Sequence, residues 1–288
     1  MFRRDYLKKP AWLKVKIPSG DTYKDVFRLL DDHNLSTVCQ EARCPNITEC
    51  WNKKNATIMI MGKTCTRGCR FCSVTTGNPK GALNPKEPEN TALVVEKLGL
   101  KYAVITSVDR DDLPDYGASH YAQTIKSIKE KNLETRVEVL IPDFGGKKDL
   151  IKKIVDAQPF VIGHNVETVK RLTPFIRDRR CSYEKSLEVL REAKELDKKI
   201  RTKSGFMLGL GEEHAEIVET LKDLKNTGID IVTIGQYLQP TIKNVPVQKY
   251  YTPEEFQEFK RISEEIGIRY VISGPLVRSS YHAADLLP

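Results

Sequence analysis

No apolar run in this 288-residue chain approaches a membrane span, which takes about 20 residues as a helix. The amino-terminal Met1-Phe-Arg-Arg-Asp-Tyr lacks the apolar core of a secretory leader, so a cytoplasmic location and no membrane partner are expected. There is no internal repeat beyond an alternation of strand and helix signals, and no low-complexity tract. Clusters of Arg and Lys with interleaved aromatics, the mark of a single-strand nucleic-acid groove, are also missing. The basic residues are spread along helical faces such as Lys126-Ser-Ile-Lys129-Glu-Lys131 and alternate with Glu, as on a solvated surface. No nucleic-acid partner is expected. The formal charge of +8 still favours acidic partners, through an attraction that salt screens within about 10 Å. The seven cysteines, odd in number and with six in two tight groups, suggest metal ligation in a reducing compartment more than a disulfide framework.

The first cysteine group to carry chemistry is Met61-Gly-Lys-Thr-Cys65-Thr-Arg-Gly-Cys69-Arg-Phe-Cys72-Ser. Its C-x3-C-x2-C spacing follows an apolar run, so three thiols can converge on one inorganic cluster while the loop wraps it. A [4Fe-4S] cube usually takes four cysteines, and three leave one iron open. An open metal position suits chemistry on a substrate, as in catalytic zinc sites. Cys69 and Cys72 alone would read as a zinc half-site or a redox pair. Cys65 argues against both, because a redox pair needs two thiols and a closed zinc site needs four ligands. The second group is Cys39-Gln-Glu-Ala-Arg-Cys44-Pro-Asn-Ile-Thr-Glu-Cys50, at C-x4-C-x5-C spacing. It lies in residues 1–56, read as irregular and polar apart from a helix over Thr22–Leu30. Such a segment has little core of its own, so a second cluster would organise it.

From Thr57 the pattern becomes short apolar runs alternating with amphipathic stretches. The runs are 57–61, 102–106, 136–141, 160–162, 204–208, 230–234 and 270–273; the helices are expected at 89–98, 120–131, 183–196, 214–226 and 253–266. Near-continuous β-branched runs between helices predict parallel strands buried on both faces, hence an α/β barrel or partial barrel. In such barrels chemistry sits at the carboxyl ends of the strands. The Cys65 loop falls there, as do Thr106-Ser-Val-Asp109-Arg-Asp-Asp112, His164-Asn165-Val-Glu167 and Gly209-Leu-Gly211-Glu212. Helix capping and loop solvation explain many such polar residues singly; their recurrence at strand ends is the signal.

The C-x3-C-x2-C loop resembles the radical S-adenosylmethionine (SAM) motif. With the second triplet, Lys9-Pro-Ala-Trp-Leu13, Thr106-Ser-Val-Asp-Arg-Asp-Asp-Leu113, His164-Asn-Val-Glu-Thr168, Thr202 to Glu212 and Gly274-Pro-Leu-Val-Arg-Ser-Ser-Tyr281, the chain resembles the lipoyl synthase family over nearly its whole length. That resemblance implies a partial (β/α)6 TIM-like barrel over 57–275, an extension over 1–56 carrying an auxiliary cluster, and a tail over 276–288 closing the site at the barrel mouth. It implies SAM and two [4Fe-4S] clusters, with sulfur inserted at C6 and C8 of an octanoyl chain on a carrier lysine. By similarity, Cys65, Cys69 and Cys72 hold the cluster whose open iron binds SAM, which is cleaved to a 5′-deoxyadenosyl radical. The cluster of Cys39, Cys44 and Cys50 is then the sulfur source. Unactivated C–H bonds are not acidic enough for a side-chain base, so a cofactor radical suits the chemistry.

The same resemblance makes Ser280 the fourth ligand of the auxiliary cluster, with Ser279 second choice and Cys181 a free thiol. An alkoxide is the harder, poorer partner for iron, and a labile ligand suits a cluster meant to be dismantled. The Gly-Gly-Glu segment of other radical SAM enzymes is replaced by Thr106, Ser107 and Asp109, which are assigned to the cofactor pocket. Asn165 and Glu167 are placed near the ribose or amino acid moiety of SAM, and Lys203 near its carboxylate. Expected partners are octanoylated carrier domains (the glycine cleavage H protein or the E2 subunit of 2-oxoacid dehydrogenases), an electron donor such as flavodoxin or ferredoxin, and an iron–sulfur cluster carrier. The alternatives are another twin-cluster radical SAM sulfur-inserting enzyme and a zinc-stabilised nucleic-acid module.

Overall fold

The structure is a computed structural model that describes residues 7–15, 17, 19–281 and 283. The chain folds into two compact units. One comprises Val15–Arg67, Val74–Ile162 and the described part of Ser280–Pro288; the other comprises the described part of Met1–Lys14, with Gly68–Ser73 and Gly163–Ser279.

In the first unit the apolar runs become β1 (Thr57–Ile60), β2 (Tyr102–Ser107) and β3 (Arg136–Leu140). They pair in parallel, with Ile58 opposite Ile105 and Ile105 opposite Val139. Helices α1 (Glu87–Leu98), α2 (Ala118–Lys131) and α3 (Lys148–Asp156) follow them in turn. Strands buried on both faces need the covering that such crossover helices provide. Ile58, Ile60, Ile105 and Val139 are almost wholly buried; each such side chain gains roughly 1.5–3 kcal/mol over exposure. Helix α3 is absent from the sequence reading, although Leu150, Ile151, Ile154 and Val155 mark a helical stripe and are buried.

The strand β4 (Val161–Gly163) leads into the second unit. There β5 (Arg201–Leu208), β6 (Ile231–Gln236) and β7 (Tyr270–Gly274) pair in parallel, Phe206 opposite Ile234 and Val232 opposite Val271. Helix α4 (Tyr183–Leu196) precedes β5, and α5 (His214–Asn226) and α6 (Pro253–Glu265) follow β5 and β6 in turn. Their starts follow local chemistry. Ser182 caps Lys185 N at 3.0 Å, and Thr252 with Glu255 forms a capping box ahead of Pro253. Val166, Phe206, Leu208, Ile217, Leu221, Val232 and Ile234 share one apolar core. Among the described residues the run from β1 to β7 thus makes six strand–helix pairs and a closing strand.

The expectation that the amino-terminal segment has little core is corrected. A helix over Asp21–Asp32 buries Val26 and Leu30, and Trp51 is fully buried with Tyr23 packed at 4.9 Å between ring centroids. Short helices over Val38–Glu41 and Ile47–Asn52 carry Cys39 and Cys50. Ser36–Thr37 pairs antiparallel with β1. Aromatic and aliphatic burial therefore pre-shapes the segment, because one Trp covers more apolar area than the polar composition suggests.

Candidate functional site

The cysteine loop that follows β1 is fixed from both ends, and each end is held within its own unit. Cys65 ends a short strand, Thr64–Cys65, that pairs with Thr75–Thr76. Its Sγ accepts backbone N–H groups from Asp109 at 3.3 Å and Arg67 at 3.5 Å, and its thiol donates to Asp109 Oδ2 at 3.7 Å. Amide donors to sulfur favour thiolate over thiol and help set a cluster's potential. Thr66 donates through its hydroxyl to Asp109 O at 3.0 Å and to Asp111 Oδ2. Asp109, assigned from sequence to the cofactor pocket, thus braces the cysteine loop through both its backbone and its carboxylate.

Arg67, between the first two cysteines, is buried. Its guanidinium is bidentate to Asp143, at 2.8 and 2.7 Å, and reaches Asp111 at 2.9 and 3.1 Å, with Asp109 at 3.4 Å. Burial works against its charge, but the hydrogen bonds it donates to Asp143 and Asp111 outweigh that and hold the group firmly protonated. Such fork-shaped pairing needs arginine rather than lysine.

The other end belongs to the second unit. Asp178 N donates to Cys69 Sγ at 3.3 Å, and its carboxylate accepts Gly68 N at 2.8 Å. Hydrogen bonds from Arg180 hold that carboxyl well below the usual carboxylate range. Arg70 N donates to Ile176 O at 2.8 Å. Asn244 Nδ2 donates to Cys72 O at 2.8 Å and to Arg70 O at 3.2 Å. Cys181, read from sequence as an ordinary free thiol, stands beside Cys69: a hydrogen bond between the two thiols, followed by burial, pushes the Cys69 thiol up. Asp178, Asn244 and Cys181 were missed as parts of this site. Nothing in local spacing signals residues more than a hundred positions away.

The second triplet is drawn together around Trp51. Burial first, then the neighbouring Cys44 thiol, raises Cys39 to about 11. The indole N–H of Trp51, buried and otherwise without a partner, acts on Cys39 in the opposite sense. Cys50 is pushed up to about 12 by burial and then by Cys39 and Cys44. Thiols that repel one another's ionisation are a donor set suited to a cation, which replaces the protons. Among the described residues no group of three His, Cys, Asp or Glu could hold a single metal ion.

The terminal motif divides between the units. Gly235 lets the chain pass close: a Cβ there would stand 2.2 Å from Val277 O. Lys9 is lowered by burial and by the nearby Arg278. Farther on, Tyr281 donates its hydroxyl to Glu49 Oε2 at 3.2 Å. Its own hydroxyl is pushed up to about 12 by burial, by Glu49 and by the Cys50 and Cys44 thiols. Ser280 accepts Ala283 N through its carbonyl.

The residues assigned to SAM behave differently from one another. Thr106 donates to Leu140 O at 3.3 Å and is buried, so its hydroxyl is committed to the barrel wall. Ser107 closes β2. In the second unit, Asn165 Oδ1 is buried with no hydrogen-bond partner, an arrangement that is costly unless a ligand donates to it. Gly205 makes the space: a Cβ there would lie 2.4 Å from Thr233 Oγ1 and 3.2 Å from Asn165 Oδ1. Glu167 holds a left-handed φ of 66° while its N–H donates to Gly205 O at 3.1 Å and its carbonyl accepts Met207 N at 2.9 Å. Backbone strain of this kind, of order 1–3 kcal/mol, gathers at ligand sites. Lys203 lies within β5 and is buried, and its carbonyl accepts His164 N at 2.9 Å.

These features define a class. Residues 59–224 match the radical SAM superfamily, and the fold is shared with solved structures. Methylornithine synthase is similar with TM-score 0.54 at 12% identity, covering 80% of this chain and 73% of that one. The FeFe-hydrogenase maturase HydG from Carboxydothermus hydrogenoformans is similar with TM-score 0.56 at 14% identity, covering 79% and 64%. The chain is a radical SAM enzyme built on a partial (β/α) barrel with a parallel sheet. Residues 2–44 match the N-terminal domain of lipoyl synthase of the radical SAM family. The chain is 54% identical to a lipoyl synthase of Marinobacter nauticus, covering 96% of this chain and 79% of that protein. It is 54% identical to one of Rubrobacter xylanophilus (96% and 86%) and 52% identical to the mitochondrial lipoyl synthase of Schizosaccharomyces pombe (96% and 76%). It belongs to the lipoyl synthase family. No helix among the described residues is long and apolar enough to cross a membrane.

Proposed function

We propose that this enzyme is a sulfurtransferase that inserts two sulfur atoms, at C6 and C8, into an octanoyl chain carried on a lysine of a lipoyl carrier domain. Its two cysteine triplets hold two separate [4Fe-4S] clusters. When bound, the cluster at Cys65, Cys69 and Cys72 supplies the electron that cleaves SAM, and the cluster at Cys39, Cys44 and Cys50 supplies sulfur. Around the first, Asp109, Arg67, Asp178 and Asn244 fix the loop so that the three thiols keep their aim. Asn165 accepts a hydrogen bond from SAM through its unpaired oxygen, and Lys203 attracts its carboxylate, with Glu167 beside them. Residues 1–56 form the auxiliary module, and Tyr281 bonds to it through Glu49.

The observation that supports the two-cluster reading best is the hydrogen bond of Tyr281 to Glu49, next to Cys50. Ser280 is one residue from that contact. Ser280 is the fourth ligand, and its hard oxygen leaves the cluster open to dismantling. The test is anaerobic reconstitution followed by mass spectrometry of an octanoyl-lysine peptide incubated with SAM and reductant. A doubly thiolated product is expected, with two 5′-deoxyadenosine formed for each. Formation of 5′-deoxyadenosine with no sulfur in the peptide would refute the assignment of substrate and keep only the radical SAM class.

A further inference from the structure

The two loops that hold the outer part of the cysteine loop do a second thing. Each presents a large apolar side chain and an unpaired cation to solvent. Loop 175–181 bonds to the cysteine loop through Ile176 O, Asp178 N and the Asp178 carboxylate. It carries Phe175, 57% exposed, and Arg179, exposed. Loop 241–245 bonds to it through Asn244 Nδ2 and through Val245 N, which donates to Arg70 O at 3.1 Å. It carries Ile242, 81% exposed, and Lys243, exposed. Arg70 joins the two. Its guanidinium donates to Phe175 O at 3.2 Å, and it lines a hollow with Leu7, Ile242, Lys243 and Tyr250. Among the described residues neither Arg179 nor Lys243 has an ion-pair partner, whereas neighbouring Arg180 is paired with Asp178 and Lys249 with Glu255. Exposed apolar residues set beside uncompensated charge of one sign mark an interaction surface for a partner of the opposite sign.

We propose that Phe175, Arg179, Ile242 and Lys243 form the docking site of an acidic one-electron donor protein that reduces the cluster of Cys65, Cys69 and Cys72. The inference rests on the radical SAM reading of that loop. One electron leaves the donor's cofactor, which is oxidised by one electron, and enters the cluster; no bond or proton changes at the docking surface. A donor suits this place better than the octanoyl carrier does. An electron needs only nearness, and the patch lies on loops that touch the backbone of residues 68–72 and the sulfur of Cys69. A carrier must instead feed a long acyl chain to the adenosyl end of SAM, which requires an opening. The positive charge of the chain and of the patch would steer the acidic donor, and salt would weaken that attraction.

The test uses the reconstituted holoenzyme, a flavodoxin as probe, the charge-reversal variant Arg179→Glu/Lys243→Glu and the polar variant Phe175→Ser/Ile242→Ser. Calorimetry measures flavodoxin affinity at low and high salt. Formation of 5′-deoxyadenosine is then compared with flavodoxin hydroquinone and with dithionite as reductant. The wild type should bind flavodoxin with an affinity that falls as salt rises. Charge reversal should weaken binding and the flavodoxin-supported rate by roughly tenfold or more, flatten the salt dependence and leave the dithionite-supported rate unchanged. The polar variant should weaken binding at every salt concentration. Unchanged flavodoxin affinity in both variants, or no binding to the wild type, would overturn the proposal. So would a loss of affinity for the octanoyl carrier domain instead, which would make this the carrier's surface. A wild type that forms no 5′-deoxyadenosine even with dithionite would overturn the reading of the loop on which the surface depends.

Discussion

The hydroxyl of Tyr281 lies 3.2 Å from the carboxylate of Glu49, a hydrogen bond that spans 232 residues of chain. Its neighbours give it meaning: Glu49 precedes Cys50, and Tyr281 follows Ser280. A hydrogen bond between partly exposed groups contributes about 0.5–1.5 kcal/mol, enough to bias where the terminal motif rests.

Replacing Tyr281 by Phe should therefore speed loss of iron and sulfide from the auxiliary cluster under chelator several-fold and lower the yield of thiolated peptide. SAM cleavage should stay near wild type. Ser280→Cys should retain the cluster more tightly but slow sulfur transfer, because thiolate is the better iron ligand. Chelator-resolved iron loss in Ser280→Cys that is faster than in wild type would count against Ser280 as ligand.

The two triplets should separate cleanly by assay. Alanine at Cys65, Cys69 or Cys72 is expected to abolish 5′-deoxyadenosine formation. Alanine at Cys39, Cys44 or Cys50 should leave that formation measurable and remove thiolated product. Retained SAM cleavage in the first set, measured by chromatography, would contradict the assignment.

Arg67 sits among three carboxylates, with Asp143 only 2% exposed. Removing a buried partner strands the opposite charges and costs about 3–5 kcal/mol. Arg67→Met should lower the denaturation midpoint strongly, and adding Asp143→Asn should recover part of the loss. Additive effects of the two changes in urea melts would show that the pair does not act as a unit.

Gly205→Ala should push a methyl into Thr233 Oγ1 and Asn165 Oδ1, at 2.4 and 3.2 Å. SAM affinity should drop by roughly tenfold or more, the scale of one lost buried hydrogen bond. Asn165→Ala should drop it comparably. Equilibrium dialysis with labelled SAM gives the affinities, and an unchanged cluster absorption spectrum separates pocket damage from cluster loss.

Asp112 is held at about 2 by the hydrogen bond from buried Arg110, assisted by Gly81 N. A depressed carboxylate stabilises the fold above its unfolded value and loses that contribution as pH falls through the folded one. Here the window runs from about pH 4 down to about pH 2, and on the order of 2 kcal/mol is at stake. Asp112→Asn should lower the urea midpoint at pH 6 and flatten its fall between pH 4 and 2.

The cysteine spacings and the alternation of β-branched runs with amphipathic stretches were legible in the sequence, because both are local patterns. Cys65, Cys69 and Cys72 each had to lie on one short loop after a strand, and the periods of two residue types distinguish strand from helix. Helices 183–196 and 214–226 match the structure residue for residue, since Ser182 and Glu213 cap them through their nearest neighbours. What holds the loop was decided only by tertiary structure. Asp178 reaches Cys69 from 109 residues away and Asn244 reaches Cys72 from 172. Asp109, assigned from sequence to the cofactor pocket, also braces Cys65. Cys181, seemingly isolated, stands beside Cys69. These roles depend on which strand ends and loops meet, which the packing of apolar faces settles, so no spacing within the chain encodes them. The core around Trp51 was hidden for a related reason: one large aromatic surrounded by polar residues carries little periodic signal, although burying it gives the amino-terminal segment its shape.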